Sequence, residues 1–163
     1  MKHFTYLLAL IISYHSYSQS GDCEGRYQYE IFSDVDVETV IYSEPYNLAM
    51  DIYTPVGDEY TNRPLIIFAH GGSFIGGSKT TSLMIELCET FAKKGYVTAS
   101  INYRLATNAT VLGTDFGSFG GLTWMTNLNN GIKVIYSAFT DAKAAVRFFR
   151  KNAIENNNPY GID

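Results

Sequence analysis

The 163-residue sequence has no basic run. Twelve lysines and arginines are outnumbered by sixteen acidic residues, for a formal charge of −4. Nucleic-acid binding needs a clustered positive footprint, so that class has no support. Long apolar runs are also missing: nothing approaches the ~20 residues needed to span a bilayer. Cysteine is scarce, with only Cys23 and Cys88, and neither has metal-ligand spacing. This excludes a disulfide-dense scaffold and offers no zinc motif. Histidine is equally sparse, at positions 3, 15 and 70, and no internal repeat is visible. Aromatic residues, by contrast, make up 15% of a chain that is 46% hydrophobic, which argues for a packed core and against disorder.

The first eighteen residues read as a leader. Lys2 and His3 give a short charged start, Phe4 to Ile12 is a short apolar run, and Ser16-Tyr17-Ser18 supplies small residues where a signal peptidase reads. Met1 to Ser18 is therefore expected to be a Sec signal peptide, followed by one domain over 19–163. The product is expected to be periplasmic or extracellular, with no membrane span after cleavage. Export bears on the cysteines: Cys23 and Cys88 either pair in an oxidising compartment or remain two thiols, Cys88 falling on the apolar face of an expected helix.

Along the mature chain, Gln19 to Tyr29 reads as a loose lead-in. Val35 to Tyr42 and Leu48 to Tyr53 read as strands that pair antiparallel. Leu65 to Ala69 is a continuous apolar run after a proline, the pattern of a strand buried on both faces. Thr80, Thr81 and Ser82 offer caps for a helix whose apolar face holds Met84, Leu87, Cys88, Phe91 and Ala92, with Gly95 just past its end. Tyr96 to Tyr103 reads as the next strand. Arg104 to Asn130 is rich in Gly, Thr and Asn and reads as a long irregular excursion. A helix is expected from about Ile132 to Ala153. Its inward face would carry Ile135, Phe139, Ala142, Val146, Phe149 and Ala153, with Lys143, Arg147, Arg150 and Lys151 outward.

The chemistry sits between the third strand and the helix after it, at His70-Gly71-Gly72-Ser73-Phe74. When a nucleophile attacks an ester carbonyl, negative charge develops on the oxygen. Backbone N–H groups aimed there are worth of order 10²–10³ in rate each. Glycines let the chain turn sharply and bring those groups close. Taken in order, Ala49 to Pro55, Arg63 to Phe74, Gly76 to Lys79, Ala92 to Leu105, Asp141 to Ala153 and Tyr160 to Asp163 resemble secreted bacterial α/β-hydrolases of the carboxylesterase/lipase type. The resemblance implies part of an α/β-hydrolase fold: a mostly parallel sheet with flanking helices and antiparallel N-terminal strands. It also implies that Gly71, Gly72 and Ser73 contribute to an oxyanion hole, with His70 and Phe74 as motif support. No metal or organic cofactor is implied.

The sequence departs from that family in one respect. The nucleophile normally lies in G-x-S-x-G on a strand–turn–helix elbow. Gly71-Gly72-Ser73-Phe74-Ile75 lacks the last glycine, and Phe116-Gly117-Ser118-Phe119-Gly120 lacks the first. After leader removal His70 is the only histidine, and it precedes every other motif, whereas the triad order is Ser, acid, His. No triad member is assigned to these residues. Two readings follow. Either this is the N-terminal part of a secreted serine hydrolase acting on small-molecule or polymer-borne carboxylic esters, or it is an exported, non-catalytic α/β-hydrolase-like binding protein. Asp51 and Asp141 read as turn, cap or local ion-pair residues, Trp124 and Met125 as packing residues, and Asn108-Ala109-Thr110 as a weak glycosylation match. The sequence is silent on substrate identity and oligomeric state.

Overall fold

A computed structural model describes residues 25–107 and 128–163. The leader, Cys23, the 108–110 glycosylation match, the Ser118 near miss, Trp124 and Met125 lie outside the described residues. The element order is β1 (Val35–Ser43), a single 3-10 turn (Glu44–Tyr46), β2 (Leu48–Pro55), β3 (Leu65–Ala69), α1 (Ser82–Lys93), β4 (Val97–Ile101) and α2 (Leu128–Glu155). The expected strands and helices stand within a few residues of these bounds. The four strands form one mixed sheet in the order β1-β2-β4-β3. β1 and β2 are antiparallel, as are β2 and β4, whereas β3 and β4 are parallel and joined through α1.

Alternation along the central strands splits the core into two layers, because successive strand residues point to opposite faces. Met50 and Ile52 of β2, with Val97, Ala99 and Ile101 of β4, pack against Ala145 and Phe149 of α2. On the other face Tyr53 packs against Cys88 and Ala92 of α1. The inward face of α1 matches expectation: Met84, Cys88 and Ala92 are buried. Cys88 is a free thiol with no exposed surface, and burial pushes its pKa up to about 11. Thr98 and Ser100 share this face, and the Thr98 hydroxyl donates to the Cys88 carbonyl.

Three expectations need correction. β3 is half-buried along Leu65 to Phe68 and exposed at Ala69, not buried on both faces, because it is the edge strand among the described residues. The inward face of α2 carries Val134, Asp141, Ala145 and Phe149. Of the face expected from periodicity, Phe149 is buried, but Ile135, Phe139 and Val146 are exposed. The helix is rotated because it turns a carboxylate, Asp141, inward to meet a buried arginine, and a hydrophobic count cannot anticipate that choice. The lead-in is also not loose where it is described. The Tyr27, Ile31 and Phe32 amides donate to the Lys94 and Lys93 carbonyls at the end of α1. Arg26 pairs with Asp58 under the rings of Tyr27, Phe32 and Tyr60.

Candidate active-site loop

β3 ends at Ala69, and the chain then turns through residues 70–79 before α1 begins. The Gly72 carbonyl accepts from the amides of Ile75 (3.0 Å) and Gly76 (3.2 Å), closing a tight turn. Gly72, Ser73 and Phe74 have successive φ values of 117°, 50° and 59°. Left-handed backbone costs a residue with a side chain about 1–3 kcal/mol and persists only where the surroundings over-determine it. Glycine is obligatory at two points. A Cβ on Gly72 would collide with the Gly76 carbonyl, and one on Gly77 with the His70 ring and the Gly71 carbonyl. Gly71, Gly72 and Ser73 are exposed, and their amides donate to no protein group among the described residues.

His70 anchors the entry to this loop. It is 4% exposed, its ring stacks on Tyr103 at 4.4 Å, and Nδ1 donates to the Gly71 carbonyl at 2.7 Å. That bond fixes the proton on Nδ1. The Tyr103 hydroxyl donates to the His70 carbonyl at 2.7 Å, and burial raises the Tyr103 pKa. Phe74 packs edge-on to Tyr103, and its carbonyl accepts from the Ala106 amide at 2.7 Å. His70 therefore supports the loop.

A buried ion pair fixes the segment that follows β4. Arg104 meets Asp141 through Nε and a terminal nitrogen (2.8 Å), its amide donates to the same carboxylate (2.9 Å), and its guanidinium lies 3.7 Å from the Tyr46 ring centre. Burial lowers the Arg104 pKa, and the Asp141 bonds more than restore it, so the net shift is upward. Asp141 thus serves an ion pair, but with a partner 37 positions away and not the local one expected of it. Asp51 does too: its two oxygens each lie 2.6 Å from Lys79 Nζ. Sequence reasoning did not single out Tyr103, Arg104 or Lys79. Their partners lie 28 to 37 positions away, where no spacing rule reaches.

Beside the loop lies an apolar groove of about 350 Å³, bounded by Ala69, His70, Phe74, Tyr103 and the outward Ile135 and Phe139 of α2. β3 is the edge strand on this side among the described residues. Its lower end is already partnered. Arg63 bridges in parallel to Ile162, with the Arg63 amide donating to the Gly161 carbonyl and the Asp163 amide to the Arg63 carbonyl.

A family model described as BD-FAE matches residues 50–113, a span that begins in β2 and includes the whole loop. Among solved structures, the native form of a thermophilic esterase, Est2, from the Planctomycetes species Thermogutta terrifontis is similar. It shares 24% identity with a TM-score of 0.54, over 78% of this chain and 36% of that one. The same organism's esterase 2 phosphorylated by paraoxon aligns at 25% identity and a TM-score of 0.52, over 78% and 39%. Its sarin-phosphonylated form aligns at 23% and 0.53, over 85% and 40%. The chain thus spans well under two thirds of the esterase chains it matches. The order of strands, the loop after β3 and these likenesses agree: the chain carries part of an α/β-hydrolase fold, like that of these esterases.

Proposed function

We propose that this chain is the N-terminal part of an exported serine hydrolase acting on carboxylic esters, and that the loop at residues 71–73 supplies its oxyanion-hole donors. One observation carries the reading: the exposed amides of Gly71, Gly72 and Ser73 have no protein acceptor among the described residues, in a loop whose backbone is held left-handed at Gly72 and Ser73. Unpaired N–H groups at a strand's end suit an oxyanion. The solved esterases of the same fold support the chemical class.

In this reading the nucleophile and base come from sequence following Asp163. The register of the Arg63–Ile162 bridge supports that placement. A strand continuing along β3 would draw level with the loop about seven residues on, at ~3.3 Å per residue. A helix leaving that strand would cover the apolar groove and the outer face of α2. Acyl transfer would then follow the usual course. A serine oxygen attacks the carbonyl carbon, a histidine takes the serine proton, and charge on the carbonyl oxygen is held by the loop amides. The histidine then returns the proton to the departing alcohol, and water repeats the steps to release the acid.

The test is ester turnover. The purified 163-residue chain should leave p-nitrophenyl acetate and butyrate at the background rate. The protein made from the gene with its downstream frame should hydrolyse them. Turnover by the 163-residue chain itself, retained through repurification, would overturn the assignment of the nucleophile. Inactivity of the downstream-extended protein would favour a non-catalytic binding role.

A further inference from the structure

The loop is anchored at two ends, and only the entry, at His70 and Tyr103, is explained by the motif. The exit is at Lys79, two residues past Gly77. Every polar group of Lys79 is engaged. Its amide donates to Asn102 Oδ1 at 2.7 Å, its carbonyl accepts from the Ser100 hydroxyl at 2.8 Å, and its ammonium contacts both oxygens of Asp51 at 2.6 Å. Asp51 lies in the middle of β2, 5% exposed, opposite Thr39 of β1 and Ser100 of β4, and also accepts from the Thr39 hydroxyl. The exit of the loop is therefore bolted to three strands through one buried ion pair.

A buried ion pair is a poor device for stability alone, because desolvation offsets most of the attraction and apolar replacements are often tolerated. What such a pair does provide is fixed geometry. Here only Ser78 separates it from Gly77, whose close approach to His70 closes the loop. We propose that Asp51 and Lys79 are positioning residues for the oxyanion loop: the pair holds the exit at Lys79 so that Gly72 and Ser73 keep their left-handed backbone and aim their amides. The catalytic consequence rests on the function proposed above, whereas the mechanical one does not.

The test pairs two readouts. In the 163-residue chain, ¹⁵N relaxation reports the order of the Gly72 and Ser73 amides. The wild type should show order parameters of about 0.85, and Lys79→Met should drop them below about 0.6 while Val97–Ile101 stays rigid. Because Lys79→Met leaves Asp51 unpaired and can unfold the chain, the apolar pair Asp51→Leu with Lys79→Met is the second variant. It should fold and show the same loosened loop. In the downstream-extended protein the double variant should lose 10–100-fold in kcat on p-nitrophenyl butyrate, with KM within threefold. A folded double variant whose loop amides stay as ordered as wild type overturns the proposal. So does a loosened loop with unchanged kcat in an active enzyme. If the extended wild type has no esterase activity, the function fails separately, and the relaxation result still decides the clamp.

Discussion

The loop at residues 70–79 and the outer face of α2 border the same groove, yet they are built in opposite ways. The loop spends two glycines without room for a Cβ, a stacked histidine–tyrosine pair and a buried ion pair on holding an unfavourable backbone in place. The outer face of α2 leaves Ile135, Phe139 and Val146 in solvent. One side of the groove is tightly braced around three amides unpaired among the described residues, whereas the other presents largely exposed apolar side chains. Bracing is concentrated in the loop, and the helix face opposite it is left open.

The contrast breaks hardest at the ion pair that fixes α2. Asp141→Ala strands Arg104 in the core and should cost about 3–5 kcal/mol, a loss visible in urea or thermal denaturation. A loss under 1 kcal/mol would mean that Arg104 finds solvent instead. Gly77→Ala comes next. Its φ of 95° and the collision with His70 predict about 3 kcal/mol of destabilisation. A stable Gly77→Ala protein would show that the loop yields easily, contrary to the picture of a rigid half-site.

Raising the pH probes the closed core behind the loop. Cys88 ionises near 9.0 when unfolded and about 11 when buried, so the unfolded chain loses its proton first. The associated stability, about 3 kcal/mol, is complete below pH 9 and is lost between pH 9 and 11. Tyr53, pushed from 10.0 to about 12, extends the loss upward. Melting temperature should fall over that window, less steeply in Cys88→Ala, and a flat profile from pH 8 to 11 would refute the burial argument. The smallest effect belongs to the open side. Phe139→Ser should change stability by less than about 0.5 kcal/mol, because the ring is 60% exposed. A loss of 2 kcal/mol or more would show that this face is packed in solution.

Much of the frame was legible because it rests on local pattern. Leu65 to Ala69 was legible as a strand, though not as the half-buried edge strand it is, and the face of α1 through Met84, Cys88 and Ala92 followed from spacing. The glycines of the loop were visible as turn formers. What escaped was every decision made by long-range polar contact. Asp141 sits on the inward face of α2 because Arg104 waits there, and a hydrophobic count rejects an aspartate from a core face. Asp51 interrupts β2 because Lys79 reaches it from 28 positions away. The lead-in looked polar and loose, yet Arg26 is held by Asp58 and three aromatic rings.

The account stands on the loop at Gly71, Gly72 and Ser73 serving a serine that lies elsewhere. The most direct measurement is fluorophosphonate labelling of the protein produced from its own gene, followed by peptide mass spectrometry. The account predicts one phosphonylated serine, within a G-x-S-x-G sequence beyond Asp163. An adduct on Ser73 or Ser118, or no adduct on folded protein, would contradict it.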